Sequence, residues 1–257
     1  MDFDKKLAKL KVSHSPSYAR GLVRLAKVVI KDNEKLEILV NKTKEIQDQY
    51  YVVFTLANIA LEMNKAYISG YQELFDEATG ILDEVTPDWR QEEVLDLLIS
   101  KMSKARMVEF KGVYKFFNDI TDSQKRKKLS RAIAKGLVRS NAFDLDPFIE
   151  LGQNDTERAD IIKDLANEFI KSGKTSLLEL DRQVRKVEDP VINSKLWAYF
   201  GFKLKKFDEI DERRYLGLAL QEISGMTDKD RLEVGIYVID SYSSSKSEFI
   251  DDILEKI

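Results

Sequence analysis

The feature that most constrains this chain is a recurrence. A large apolar residue followed by a small one returns six times, as Leu25-Ala26, Ile59-Ala60, Ile99-Ser100, Ile133-Ala134, Leu165-Ala166 and Phe200-Gly201. The small residues lie 34, 40, 34, 32 and 35 positions apart. About eleven residues before each pair stands a residue suited to starting a helix: Ser15, Asp48, Asp88, Asp122, Asp155 and Asp189, with Asp228 as a seventh start. A Ser or Asp side chain accepts a hydrogen bond from an orphan N–H of the first helical turn, and a carboxylate also suits the helix dipole. Pro16 and Pro190 follow a start residue and Pro87 precedes one, so three of the four prolines punctuate the period. A first-turn proline costs a helix no hydrogen bond.

Each start opens a helical pattern. After Asp155, Ile161, Ile162, Leu165, Ala166, Phe169 and Ile170 form one apolar stripe, as do Leu129, Ala132, Ile133, Leu137 and Val138 after Asp122. Strands would alternate, and no such run occurs. Partner helices are expected over Leu36–Ile46, Tyr67–Leu82, Val108–Ile120, Pro147–Leu151, Leu177–Val187, Ile210–Ile223 and Phe249–Ile257. The fold class is therefore all-α. A helical hairpin of this length cannot bury both apolar faces alone, so neighbours must stack. This predicts one α-α superhelix, or solenoid, of about seven hairpins spanning 1–257. Phe3, Leu7, Leu10 and Val12 supply a short N-terminal cap helix.

From Ile162 to Pro190 the residues resemble the tetratricopeptide-like repeat family. Leu165, Ala166, Phe169 and Gly173 match its large, small, aromatic and turn-glycine positions, and Asp189-Pro190 matches its closing pair. Leu178 and Arg185 depart from it, standing where the family prefers small residues, and repeats of 40 and 39 residues are longer than its usual length. A HEAT-like repeat is the alternative. Either resemblance implies a superhelix with a concave binding face. In the tetratricopeptide case, the first helix of each hairpin lines that face.

Charge is blocked rather than mixed. The totals nearly cancel, with 42 Lys+Arg against 45 Asp+Glu, yet Lys101 to Arg139 holds twelve bases and three acids. Gly70 to Ile99 carries nine acids and one base, and Asp144 to Glu168 eight acids and two bases. Lys125, Lys128, Arg131, Lys135 and Arg139 share one helical face, with Lys101 and Lys104 on the hairpin before. Solvated helix sides account for such blocks. A patch for an acidic partner accounts for them too, and these residues with Trp89 are the candidate partner-binding set. Trp89, beside Arg90 at a helix start, is the large ring expected to be most exposed. Tyr51 and Tyr199 are further candidate anchors within aromatic clusters that mainly serve the core.

The residue inventory narrows the chemistry. The absence of Cys excludes disulfides, thiolate metal sites and cysteine nucleophiles. The lone His14 lacks a triad partner and excludes a multi-histidine metal site. Ser172-Gly173-Lys174-Thr175 imitates the end of a P-loop, but Glu168 stands where its first glycine belongs. Asp251, Asp252 and Glu255 imitate a diphosphate-magnesium motif without a second acidic helix to face it. No catalytic, cofactor or metal residue is assigned. The opening residues do not form a signal peptide, and the longest charge-free stretch, Gln49 to Leu61, is too short to span a bilayer. A cytoplasmic chain is expected. The reading is a non-enzymatic scaffold that binds a protein or peptide partner, an acidic one by charge complementarity, through the concave face. The alternatives are nucleic acid on the 101–139 patch, against which the acidic pI of about 5.5 argues, and a carboxylate-metal helical enzyme.

Overall fold

Every described element is a helix, and no strand occurs among the described residues. The structure, a computed structural model, describes residues 3–10, 15–107, 110–142, 144–173, 177–205, 207 and 209–242. The chain divides into two compact units, Met1–Phe143 and Asp144–Ile257.

Unit 1 contains α1 (Phe3–Leu10), α2 (Ser15–Val29), α3 (Asn33–Thr43), α4 (Gln49–Lys65), α5 (Tyr71–Gly80), α6 (Asp88–Lys104), α7 (Lys111–Asp119) and α8 (Ser123–Ser140). A short 3-10 turn, Leu82–Glu84, precedes α6. The long helices pack serially, α2 on α4, α4 on α6 and α6 on α8. The shorter ones fill in beside them: α3 against α2, α5 against α4, and α7 against α5. Ala26, Ala60 and Ala134 are fully buried at these contacts, as small residues in a close helix approach should be. Ser100 is only half-buried. Between α6 and α8 the close approach belongs to Gly136 instead, where an added Cβ would come within 2.5 Å of Ile99 Cγ2 and 2.8 Å of Phe110.

Unit 2 contains α9 (Asp146–Ile149), α10 (Asp155–Lys171), α11 (Leu178–Val184), α12 (Pro190–Leu204), α13 (Glu209–Ile223) and α14 (Asp228–Tyr242). Here α10 packs on α12 and α12 on α14, with α11 and α13 beside them. Its core holds Trp197 stacked on Tyr215 at 5.8 Å between centroids, with Phe200 edge-on to both. The expected helix over Phe249–Ile257 and the Ser243–Ser245 loop lie outside the described residues.

Three local devices set the helix ends. At the N-termini, Asp48, Asp122 and Asp189 cap α4, α8 and α12 as their spacing predicts. Asp88 and Asp155 do not, which corrects the sequence expectation. Pro87 occupies the cap position of α6 with no side-chain bond, and Asn154 caps α10. Asp155 instead turns outward and accepts the N–H groups of Glu188 and Asp189, at 2.9 and 2.8 Å, fixing the entry to α12. Thr227, rather than Asp228, accepts from the first turn of α14.

At the C-termini a left-handed residue stops the long helices: Tyr67, Arg106, Asn141 and Gly173, with φ of 59°, 57°, 56° and 82°. After α4, α6 and α8 the next N–H reaches back five residues, from Ile68 to Met63, Met107 to Met102 and Ala142 to Leu137. This wrapped terminus satisfies carbonyls the helix would otherwise orphan. It shortens the expected Tyr67–Leu82 helix, which begins only at Tyr71.

The third device joins consecutive elements. A buried amide or guanidinium near the start of a long helix donates to a carbonyl nine residues earlier, in the preceding element. Gln91 reaches Leu82 O at 2.7 Å, Arg126 reaches Phe117 O at 2.8 Å and Asn193 reaches Val184 O at 2.8 Å. Arg126 and Asn193 also donate to Ile120 O and Val187 O, six residues back. Buried carbonyls require such partners.

Candidate functional site

The acidic block and the basic block of the sequence meet across α6 and α8. Asp88, Glu92 and Asp96 lie four apart on one face of α6, and Lys125, Lys128 and Lys135 come from α8. Lys128 Nζ sits 3.1 Å from Glu92, and Lys125 is bonded to Gln91 and lies 4.0 Å from Asp88. Burial raises the Asp96 carboxyl above its ordinary value, Lys135 drawing it down and Glu92 adding to the rise. The blocks are thus partners. The period itself explains this, since residues about one repeat apart are neighbours on adjacent long helices.

These ion pairs edge a groove of about 360 Å³ whose floor includes Leu95, Phe116, Leu129 and Ala132. Trp89 lines it and is 64% exposed, although Tyr67 is the more exposed ring at 97%. Nearby, Arg90 bonds Asp48 at 2.9 Å and covers the Tyr50 ring at 4.6 Å. Burial and the hydroxyl's bond to Glu93 push Tyr50 up to about 12. Tyr51 is half-buried beside the same guanidinium. Tyr199 in unit 2 is half-buried and donates to Asn167 at 2.8 Å; burial above all holds it up at about 12.

Of the eight predicted partner-binding residues, Lys125 and Lys128 are held by α6. Arg131, Lys135 and Arg139 are exposed on α8, and Lys104 is exposed at the end of α6. Lys101 is half-buried and belongs to a different cluster, which the sequence reading did not assemble. The last turns of α2 and α4 bring Lys27 and Lys65 onto Glu62, and the last turn of α6 adds Lys101, with Lys104 beside it. Glu62 accepts from Lys65 at 2.9 Å and lies 3.5 Å from Lys27. Burial would raise its carboxyl, but the two lysines hold it below its ordinary value. Burial lowers the Lys101 ammonium, and Lys104, Lys65 and Lys27 lower it further against Glu62 alone. Two ammonium groups paired with Glu62, and a third and fourth acting on one another beside them, leave a local positive excess. The missed signal was the helix end: Lys27, Lys65, Lys101 and Lys104 all fall in the last turn of consecutive long helices.

Among the described residues, no group of three or more His, Asp or Glu side chains is placed to hold a metal ion. No described helix is long and apolar enough to cross a membrane. His14, Lys174, Thr175, Asp251, Asp252 and Glu255 lie outside the described residues. No protein-family model, curated protein or solved structure matches the chain.

Proposed function

We propose that the chain is a non-enzymatic helical-repeat scaffold whose units stack their helical pairs in the solenoid manner. In this reading, unit 1 holds an acidic segment of a protein partner. The Asp caps, the left-handed stops and the nine-residue bond recur at corresponding positions, which supports a common ancestral hairpin. Within each unit taken by itself, serial contact between the long helices supports their forming one continuous face.

The single observation that carries the partner assignment is the lysine cluster around Glu62. Burial first, and then the neighbouring Lys104, Lys65 and Lys27, lower the Lys101 ammonium, and carboxylates in an extended peptide would offset that repulsion. The charge division agrees with it. Residues 1–143 carry 25 Lys+Arg against 20 Asp+Glu, so the positive excess is confined to unit 1 of a chain that is acidic as a whole. Lys125 and Lys128, held by α6 carboxylates, contribute packing rather than contact.

The test is a pair of titrations at low salt, one with a labelled Glu-rich peptide and one with a short single-stranded oligonucleotide. Saturable peptide binding that weakens with salt is the expected result. Tighter oligonucleotide binding with a steep salt slope would replace the protein partner with nucleic acid, and binding of neither would remove the reading.

A further inference from the structure

The strongest unassigned feature of unit 1 lies at its first two helices. From Lys5 to Lys31 the sequence holds eight Lys and Arg residues and no acid. Folding gathers four of them on one groove: Lys6 and Lys9 from α1, and Arg20 and Arg24 from α2. The groove has a volume of about 500 Å³, within the roughly 300–1,000 Å³ of ordinary ligand sites. Its floor is apolar, made by Leu10, Leu25 and Val28, and Val28 is 61% exposed. No acidic residue is among its described lining.

The local cause is legible. Arg20, Arg24 and Lys27 fall three and four residues apart, so they share one face of α2. Gly21 lets α1 settle there: an added Cβ would lie 2.4 Å from Leu10 Cδ2. The lysines of α1 are thereby set opposite the arginines of α2 across an apolar strip. Through Lys27 the same face leads to the cluster around Glu62.

We propose that this groove binds an acidic amphipathic helix of a partner protein, with aliphatic residues on the floor and flanking carboxylates against the four cations. The proposal rests on the acidic-partner reading above and adds a second, chemically distinct contact to it. Arginine forks suit bidentate carboxylate recognition, and exposed Val28 with half-buried Leu10 gives an aliphatic stripe somewhere to bury. Nucleic acid fits less well, because the described lining offers neither an aromatic ring for stacking nor an Asn or Gln amide for base edges. A lipid surface is flat, whereas cations here stand on both walls of a recess.

The experiment uses the full chain and two labelled peptides of equal negative charge. One carries Leu at helical spacing among Glu residues; in the other every Leu is replaced by Gly. Fluorescence anisotropy should show the Leu peptide binding at least about tenfold more tightly. Arg20→Glu with Arg24→Glu should weaken it by about tenfold or more, and Val28→Asp should abolish its advantage over the Gly peptide. All three side chains are exposed, and circular dichroism checks that each variant is folded. Equal affinity for the two peptides would overturn the proposal, as would unchanged binding in the arginine variant. Tighter binding of an oligonucleotide or of anionic phosphatidylserine vesicles than of the Leu peptide would overturn it too. Reversing Lys65, Lys101 and Lys104 separates the two readings. Retained Leu-peptide binding there keeps the groove while the Glu62 cluster fails as a contact. Loss of Gly-peptide binding alone supports both.

Discussion

Asn193→Leu in unit 2 tests the device that ties each long helix to the element before it. Asn193 is 7% exposed, and its amide donates to Val184 O at 2.8 Å and Val187 O at 3.2 Å. Leucine keeps the volume and removes both bonds, stranding Val187 O and leaving Val184 O only the Val187 N–H at 3.0 Å. Stranding Val187 O costs about 1–3 kcal/mol and losing the second bond to Val184 O about 1 kcal/mol, and the apolar side chain returns about 1 kcal/mol through burial. The net expectation is a loss of about 2 kcal/mol. With a urea slope of about 1.5 kcal/mol/M for a unit this size, the midpoint falls by about 1.3 M. The reporter is built in. Trp197 is buried in unit 2 whereas Trp89 in unit 1 is largely exposed, so Trp89→Phe leaves a fluorescence signal specific to unit 2. Asn193→Asp sharpens the test, since a carboxylate facing two carbonyls cannot donate. It should destabilise more than leucine at pH 7 and recover part of the loss near pH 4, where the protonated acid donates again. A midpoint shift under about 0.3 M for Asn193→Leu would refute the argument.

Other consequences follow from particular residues. Tyr67 is almost fully exposed and left-handed, so Tyr67→Gly should stabilise unit 1 by about 0.5–1 kcal/mol, seen as a higher thermal midpoint; a lower midpoint contradicts the strain argument. Asp146 is held down at about 2, first by Lys186, then by Arg182 and Gln183, with burial opposing. A carboxyl lowered in the folded state contributes stability above its unfolded pKa and loses it as pH falls through the folded one. Asp146→Asn should therefore destabilise unit 2 at neutral pH and flatten its loss of stability between about pH 4 and 2, checked by urea titrations across that range. Lys128→Ala should cost under about 1 kcal/mol, because its pair with Glu92 is exposed, and should leave acidic-peptide affinity within about threefold.

How much was legible in the sequence depends on whether a function is tied to a residue type. Capping by Asp48, Asp122 and Asp189 was legible because few side chains can accept from a first-turn N–H. The all-α class followed from helical apolar spacing. The stops at Tyr67 and Arg106 were not legible, since neither residue advertises a left-handed conformation as Gly173 does. The nine-residue bond was hidden because Gln91, Arg126 and Asn193 share only the ability to donate. Pairing of Glu92 with Lys128 was recoverable in principle, being the period applied to charge. Reading the blocks separately concealed it, and the same habit divided the acid-free run from Lys5 to Lys31 between a cap and a first helix.

The central claim is that the positive excess of unit 1 is a contact for an acidic partner. The most direct measurement is the affinity of a labelled Glu-rich peptide for the chain and for the Lys65→Glu, Lys101→Glu, Lys104→Glu variant, at low salt. Three reversals beside one another should weaken binding by at least about thirtyfold, or about 2 kcal/mol, with an unchanged circular dichroism spectrum. Equal affinity for the variant would contradict the claim.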